Sequence, residues 1–298
     1  SITRLNCVKL FALNPMPNTR PFAFFGTPYV ARDTLAALIE QGFIPAVVIT
    51  SPDSAKGRGL ALQPTETKEL ALMHGIPVLT PEKLSPEAIE EICSFDCEYG
   101  VVVAYGKLLP QALIDVFPLG LLNIHYSLLP KYRGASPVES ALLAGDTVTG
   151  VAIQKLVLKL DAGDVYATKE VAIEPTETTK ELRARLIALG SELLIELLPQ
   201  FEAGTARATP QDESQATHVG KIHKSEGELQ IPGNDLLNWR KYRAYFESPG
   251  TYFFVRKGDT SVRVKIAKAR FENGVFTPER VIPEGKREMA YEDFVRSL

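Results

Sequence analysis

Between Pro21 and Val157 the chain alternates short apolar runs with amphipathic segments that open on Ser, Thr or Pro, and that rhythm admits few folds. Residues 21–26 (PFAFFG) are an apolar run ending in Gly. Thr27 and Pro28 then open a stripe through Leu35, Leu38 and Ile39 that stops at Gly42. Residues 43–50 (FIPAVVIT) read as a second buried strand, so the opening is a βαβ unit. The pattern continues with a helix from Thr65 to before Gly75, a strand over 76–79, a helix capped by Ser85-Pro86, and a strand over 99–104 (YGVVVA). That last run is apolar on both faces, as in parallel sheets covered on both sides. A strand over 121–125 (LLNIH), a helix over 137–145 and a strand over 151–157 complete the series. The expected class is α/β, a Rossmann-like, doubly wound, mostly parallel sheet whose ligands sit at the strand C-terminal ends.

A long amphipathic helix over 178–198 follows, after which residues 204–216 are polar and broken by Pro210. These read as a linker between a large domain, 21–203, and a smaller one, 217–298, with residues 1–20 as an N-terminal extension. The smaller domain shows a helical stretch at 235–246, a Ser248-Pro249-Gly250 turn and strand patterns at 251–255, 262–270 and 275–276. An OB-like β-barrel is the economical expectation. Charge divides at the same place. Residues 217–298 carry 15 Lys and Arg against 11 Asp and Glu, whereas 1–216 carry 18 against 25, so a net charge of −3 hides a basic appendix on an acidic body. Such an appendix suits an anionic partner, although a solvated basic surface explains the same count.

No apolar run approaches the roughly 20 residues that cross a bilayer, so no membrane partner is expected. Cys7, Cys93 and Cys97 have neither a disulfide framework's even number nor zinc-site spacing, which suits a reducing compartment. The cytoplasm is the expected location. Arg4, Lys9 and Arg20 precede the first acidic residue, Asp33, and leave the mitochondrial matrix as the lesser alternative.

The first turn, Phe25-Gly26-Thr27-Pro28, lacks G-x-G-x-x-G, and Ala55-Lys56-Gly57-Arg58-Gly59 lacks the phosphate-loop order. His74, His125, His218 and His223 form no H-E-x-x-H pair, so no metal is expected. What remains is Asn123-Ile124-His125, the run from Ser127 to Gly134, and Leu160-Asp161-Ala162-Gly163-Asp164. Asn123 and His125 are two apart on a strand and therefore share a face. A lone His is more often structural and an Asp beside Gly more often a turn former, but an amide, an imidazole and a carboxylate delivered to one sheet edge are harder to dismiss.

These three pieces resemble the folate-dependent formyltransferases, whose pattern is Asn-x-His, a Ser-Leu-Leu-Pro-x-x-Arg-Gly loop and an Asp in a glycine-containing loop. The opening Phe-Gly-Thr-Pro, Val103-Ala104-Tyr105-Gly106 and the closing run from Val281 to Phe294 are similar to the branch that formylates methionyl-tRNA. The resemblance implies a catalytic domain at 21–203 and a tRNA-binding domain at 217–298. It implies 10-formyltetrahydrofolate as donor, initiator methionyl-tRNA as acceptor, and Asn123, His125 and Asp161 as catalytic residues in a monomeric enzyme. It also implies a folate site built by Lys107, Leu108, Leu109, Ser127, Leu128, Leu129 and Pro130. For Leu108 and Leu109, core packing explains the residues equally well. The loop from Ser51 to Pro64 is similar to one that enters the acceptor stem, so Lys56 and Arg58, with Arg133, are the implied tRNA contacts; two solvated cations on a loop are the plainer reading of the first two. Tyr126 departs from the family pattern, which has Gly there, and a phenol beside the reacting centre would narrow the acceptor pocket or alter the loop geometry. A formyltransferase for nucleotide-linked amino sugars and a catalytically silent RNA-binding relative are the alternatives. A glycinamide-ribonucleotide formyltransferase is disfavoured because that family is the core alone.

Overall fold

The computed structural model describes residues 20–56, 61–258 and 260–298. The large domain runs β1 (Phe22–Gly26), α1 (Tyr29–Glu40), β2 (Val47–Ile49), β3 (Ser54–Lys56), β4 (Ala61–Gln63), α2 (Glu66–Met73), β5 (Val78–Leu79), α3 (Pro86–Cys93), β6 (Tyr99–Val103), α4 (Gln111–Ile114), β7 (Gly120–His125), β8 (Arg133–Gly134), α5 (Pro137–Ala144), β9 (Val148–Lys155), β10 (Val165–Ala172) and α6 (Thr179–Glu202). Seven of these strands form one sheet in the order β10-β9-β7-β6-β1-β2-β5. Every residue of β1 is buried, and its side chains divide by the two-residue period: Phe22 and Phe24 pack with Leu35, Leu186 and Leu194 on one face, Ala23 and Phe25 with Ile92, Leu113 and Phe117 on the other. This two-sided burial is why the strands read as unbroken apolar runs.

From β5 to β7 all neighbouring pairs are parallel, whereas β7–β9 and β9–β10 are antiparallel. The sheet is therefore mixed, and the doubly wound alternation stops at β7. An apolar run buried on both faces carries no information about strand direction, so β9 was legible as a strand but not as a reversed one. The edge strand β10 alternates half-buried and exposed residues and bends at a register shift between Val165 and Ala167. Between β2 and α2, where a long loop was expected, β3 pairs antiparallel with β4, Lys56 opposite Ala61.

The small domain contains α7 (Asp235–Ala244), β12 (Tyr252–Lys257), β13 (Thr260–Glu272), β14 (Val275–Pro283), β15 (Met289–Ala290) and α8 (Tyr291–Arg296), preceded by β11 (His218–Val219). Strands β12 to β15 form an antiparallel sheet around Trp239, Val264, Ile266, Phe276 and Phe294. Asn273 and Gly274 turn β13 into β14 with φ of 51° and 81°, the left-handed pair a two-residue hairpin requires.

The expected linker is not a free tether. Thr209 and Val165 exchange both backbone bonds at 2.9 Å, and β11 pairs in parallel with β8. On the other side, buried Arg243 on α7 donates to the Glu177 and Glu174 carbonyls at 2.8 and 3.1 Å, fastening the small domain to the start of α6. Polar composition marks a linker but does not say where its polar groups bond; here they supply the bonds that hold the crossing down.

Candidate active site

Strand β7 delivers Asn123 and His125 to one face at its C-terminal end, as the two-residue period requires. The opposite face carries Ile124 and Tyr126 into the core, where a Cβ on Gly190 of α6 would sit 3.1 Å from Ile124 and 3.6 Å from Tyr126. The Tyr126 phenol is therefore under the sheet, its pKa pushed up by burial, and not beside the reacting centre. The expectation of a narrowed acceptor pocket is corrected by strand alternation.

Asp161 follows β9 in a left-handed backbone conformation, φ 49°. The loop around it is tightly folded: the Lys155 amide donates to the Asp164 carbonyl at 2.8 Å, and a Cβ on Gly163 would lie 1.7 Å from the Lys155 oxygen. Only glycine fits there. The Asp161 carboxylate, 10% exposed, is the hub of the site. Oδ1 accepts from Gln154 Nε2 at 2.9 Å and from Asn123 Nδ2 at 3.5 Å; Oδ2 accepts from the Gly134 amide at 2.8 Å and lies 3.6 Å from His125 Nδ1. His125 Nε2 is 2.9 Å from the Tyr132 carbonyl, itself on a residue with φ 58°. A neutral imidazole has one N–H and satisfies one of these two acceptors; a ring with both hydrogens satisfies both. The arrangement can stabilise developing negative charge through Asn123 and His125 and hold a proton between His125 and Asp161. Among the described residues no group of three or more His, Cys, Asp or Glu could hold a metal ion.

The other expected residues are distributed unevenly. Lys107 donates to the Pro81 and Glu82 carbonyls at 2.6 and 3.0 Å, and burial lowers its pKa. Leu109 is core, packed with Val102 and Leu113, while Leu108 is 80% exposed. Ser127 is buried and donates to the Lys131 carbonyl at 2.5 Å, closing the turn that carries half-buried Leu128, Leu129 and Pro130. Lys56 ends β3, and Arg58 lies outside the described residues.

Arg133 does not lie at the surface, as a tRNA contact would require. It is fully buried, with Nε and one terminal nitrogen donating to Gln211 Oε1 at 3.1 and 2.8 Å and the terminal nitrogens donating to Glu213 at 2.8 and 3.2 Å. Arg133 and Lys159 together hold the Glu213 carboxyl down to about 2. Arg133→Met is expected to lower folding stability by about 3 kcal/mol at pH 7, since it strips the partners of a buried cation. Because the folded pKa of Glu213 is depressed below the usual 4.5, its contribution is present above that value and disappears as pH falls toward about 2. Urea titrations of Glu213→Gln and the parent protein should therefore converge between pH 4.5 and about 2.

Sequence reasoning missed Gln154, Gln211, the Tyr132 carbonyl and the Gly134 amide. Gln154 left one signal: it stands opposite Asn123 in the β7–β9 register, which requires knowing that β9 is reversed.

The family model described as "Formyl transferase" matches residues 21–198, the stretch that holds the Rossmann-like sheet together with Asn123, His125 and Asp161, so the chain is a formyl transferase by class. The chain is 39% identical to a methionyl-tRNA formyltransferase of Sulfurihydrogenibium sp. over 89% of this chain and 85% of that one. It is 40% identical to that of Chloroflexus aggregans over 87% and 84%, respectively. The chain belongs to the methionyl-tRNA formyltransferase family. Its fold is also that of an N-formyltransferase from Helicobacter canadensis in complex with folinic acid and dTDP-3-aminofucose, with TM-score 0.67, 16% identity, and coverage of 91% of this chain and 99% of that one. No helix of the described residues is long and apolar enough to cross a membrane.

Proposed function

We propose that the chain transfers the formyl group of 10-formyltetrahydrofolate to the α-amino group of initiator methionyl-tRNA, and that Asn123, His125 and Asp161 carry the reaction. The observation behind this reading is the convergence of Asn123 and His125 on the Asp161 carboxylate. A neutral amine attacks the formyl carbon, a C–N bond forms, and the carbonyl oxygen becomes negative; Asn123 Nδ2 and the His125 ring donate to it. Collapse breaks the bond to folate N10, which takes a proton from His125, while Asp161, directly or through water, collects the proton lost by the amine. Leu108 and the loops at Ser127, Leu128, Leu129, Pro130 and 161–164 would line the folate, with Lys107 fixing the first of them.

The domain division follows: 21–203 catalytic, 217–298 an OB-like barrel for tRNA, with the register shifts around Lys268 supplying curvature. Not every basic residue of the small domain is available. Arg243 is buried, and Lys268 and Arg270 face Glu279, whereas Arg263, Lys265 and Lys286 line one cleft of ≈ 280 Å³ and suit backbone phosphates.

Lys56, at the end of β3, and Arg58 are the acceptor-stem contacts of this reading. Arg58→Ala is expected to raise KM for methionyl-tRNA and to reduce the log–log salt slope of binding by about 1. Unaltered kinetics and salt dependence would remove Arg58 from the account. Acceptor competition tests the reading as a whole: excess nucleotide-linked amino sugar leaves tRNA formylation unchanged if tRNA is the acceptor, and inhibits if a sugar is.

A further inference from the structure

Asp161 points its carboxylate at the site, but its backbone is held from behind. Gln211 Nε2 donates to the Asp161 carbonyl at 2.9 Å and to the Gly163 carbonyl at 2.7 Å. Its other amide atom, Oε1, accepts from the Arg133 guanidinium. A guanidinium has donors and no acceptor, so Arg133 fixes which way the Gln211 amide points and directs its NH₂ onto the two loop carbonyls. Arg133 is in turn held by Glu213, which Lys159 of the same loop also binds, at 2.7 Å. A second strand of the network reaches the carboxylate: Gln154 Oε1 is 3.4 Å from Gln211 Nε2, and Gln154 Nε2 donates to Asp161 Oδ1.

We infer that Gln211, from the segment between the domains, is a positioning residue that acts through Asp161. The left-handed backbone of Asp161 is uncommon for a residue other than glycine and persists where its surroundings over-determine it. Two hydrogen bonds from one amide to carbonyls on either side of Ala162 are that over-determination. With the backbone so fixed, Oδ1 meets Asn123 and Gln154 while Oδ2 meets the Gly134 amide and His125. Glutamate at 211 would still accept from Arg133 but would set an oxygen against two carbonyls.

The activity part of the test rests on the proposed reaction; the spectroscopic part does not. In the full-length protein, Gln211→Glu is expected to lower kcat for methionyl-tRNA formylation by about 100-fold, the cost of a displacement of about 1 Å at the reacting groups. KM for methionyl-tRNA should stay within about two-fold. In an Asp161→Asn background the same substitution should change kcat by less than about two-fold, because the two act as one unit. The Gly134 amide, which donates to Asp161 Oδ2, should shift in ¹⁵N-resolved NMR and exchange faster. Gln211→Met removes both bonds without repulsion and should show the same pattern if the glutamate variant fails to fold. Equal loss of kcat in both backgrounds, or an unmoved Gly134 amide in a folded variant, would overturn the inference. A parent protein that formylates no tRNA would sink the proposed reaction and leave the Gly134 measurement to decide the role of Gln211.

Discussion

Replacing His125 with alanine is expected to lower the single-turnover rate of formyl transfer by about 10²–10⁴, the range for a positioned acid–base group, while methionyl-tRNA binds with unchanged affinity. The split follows from what the ring touches. His125 is 7% exposed, its nitrogens face the Tyr132 carbonyl and the Asp161 carboxylate, and it lies on β7 rather than on the β3–β4 pair or the small domain. In the proposed reaction its loss would remove a donor to the developing oxyanion and the proton for the leaving nitrogen, both of which act only beyond the ground-state complex. Rapid-quench rates with saturating enzyme, paired with filter binding of methionyl-tRNA, separate the two effects. Collapsed affinity with normal turnover of the bound complex would show that His125 serves binding.

Asp161→Asn should be nearly as severe. All four groups around the carboxylate are, or can be, donors: Asn123, Gln154, the Gly134 amide and His125. An amide of the same shape offers one oxygen, so its NH₂ must face either the Gly134 N–H or the two side-chain amides. A buried donor left facing a donor costs about 1–3 kcal/mol, so stability should fall by that much. The rate should fall by about 10²–10³, since both the proton acceptor and the orientation of Asn123 and His125 are lost. Thermal unfolding and kcat measured on one preparation distinguish a misfolded variant from a silenced one; full activity would remove Asp161 from the mechanism.

The parts legible in the sequence are those written in local pattern. The unit from β1 to β2 follows from an apolar run, a Thr-Pro start and a glycine stop, and the shared face of Asn123 and His125 follows from strand period alone. That same period places Tyr126 on the far face, although it directly follows His125 in the sequence. The burial of Arg133 is hidden for the opposite reason. It stands in a cationic run after Lys131 and looks like surface, because the residues that bury it, Gln211 and Glu213, arrive 78 and 80 positions later. Gln211 was equally hidden, since a polar stretch with a proline has the composition of a tether whether its side chains meet water or buried carbonyls. The reversal of β9 left no trace, as two-sided burial gives one pattern for either direction.

The most direct test of the account is formyl transfer by the purified full-length protein from 10-formyltetrahydrofolate to methionine-charged initiator tRNA, with a nucleotide-linked amino sugar as a parallel acceptor. The account predicts formylmethionyl-tRNA and no formylated sugar, with the tRNA product abolished in His125→Ala. Formylation of the sugar alone would keep the chemistry of Asn123, His125 and Asp161 but contradict the tRNA reading, and transfer to neither acceptor would contradict the account at its centre.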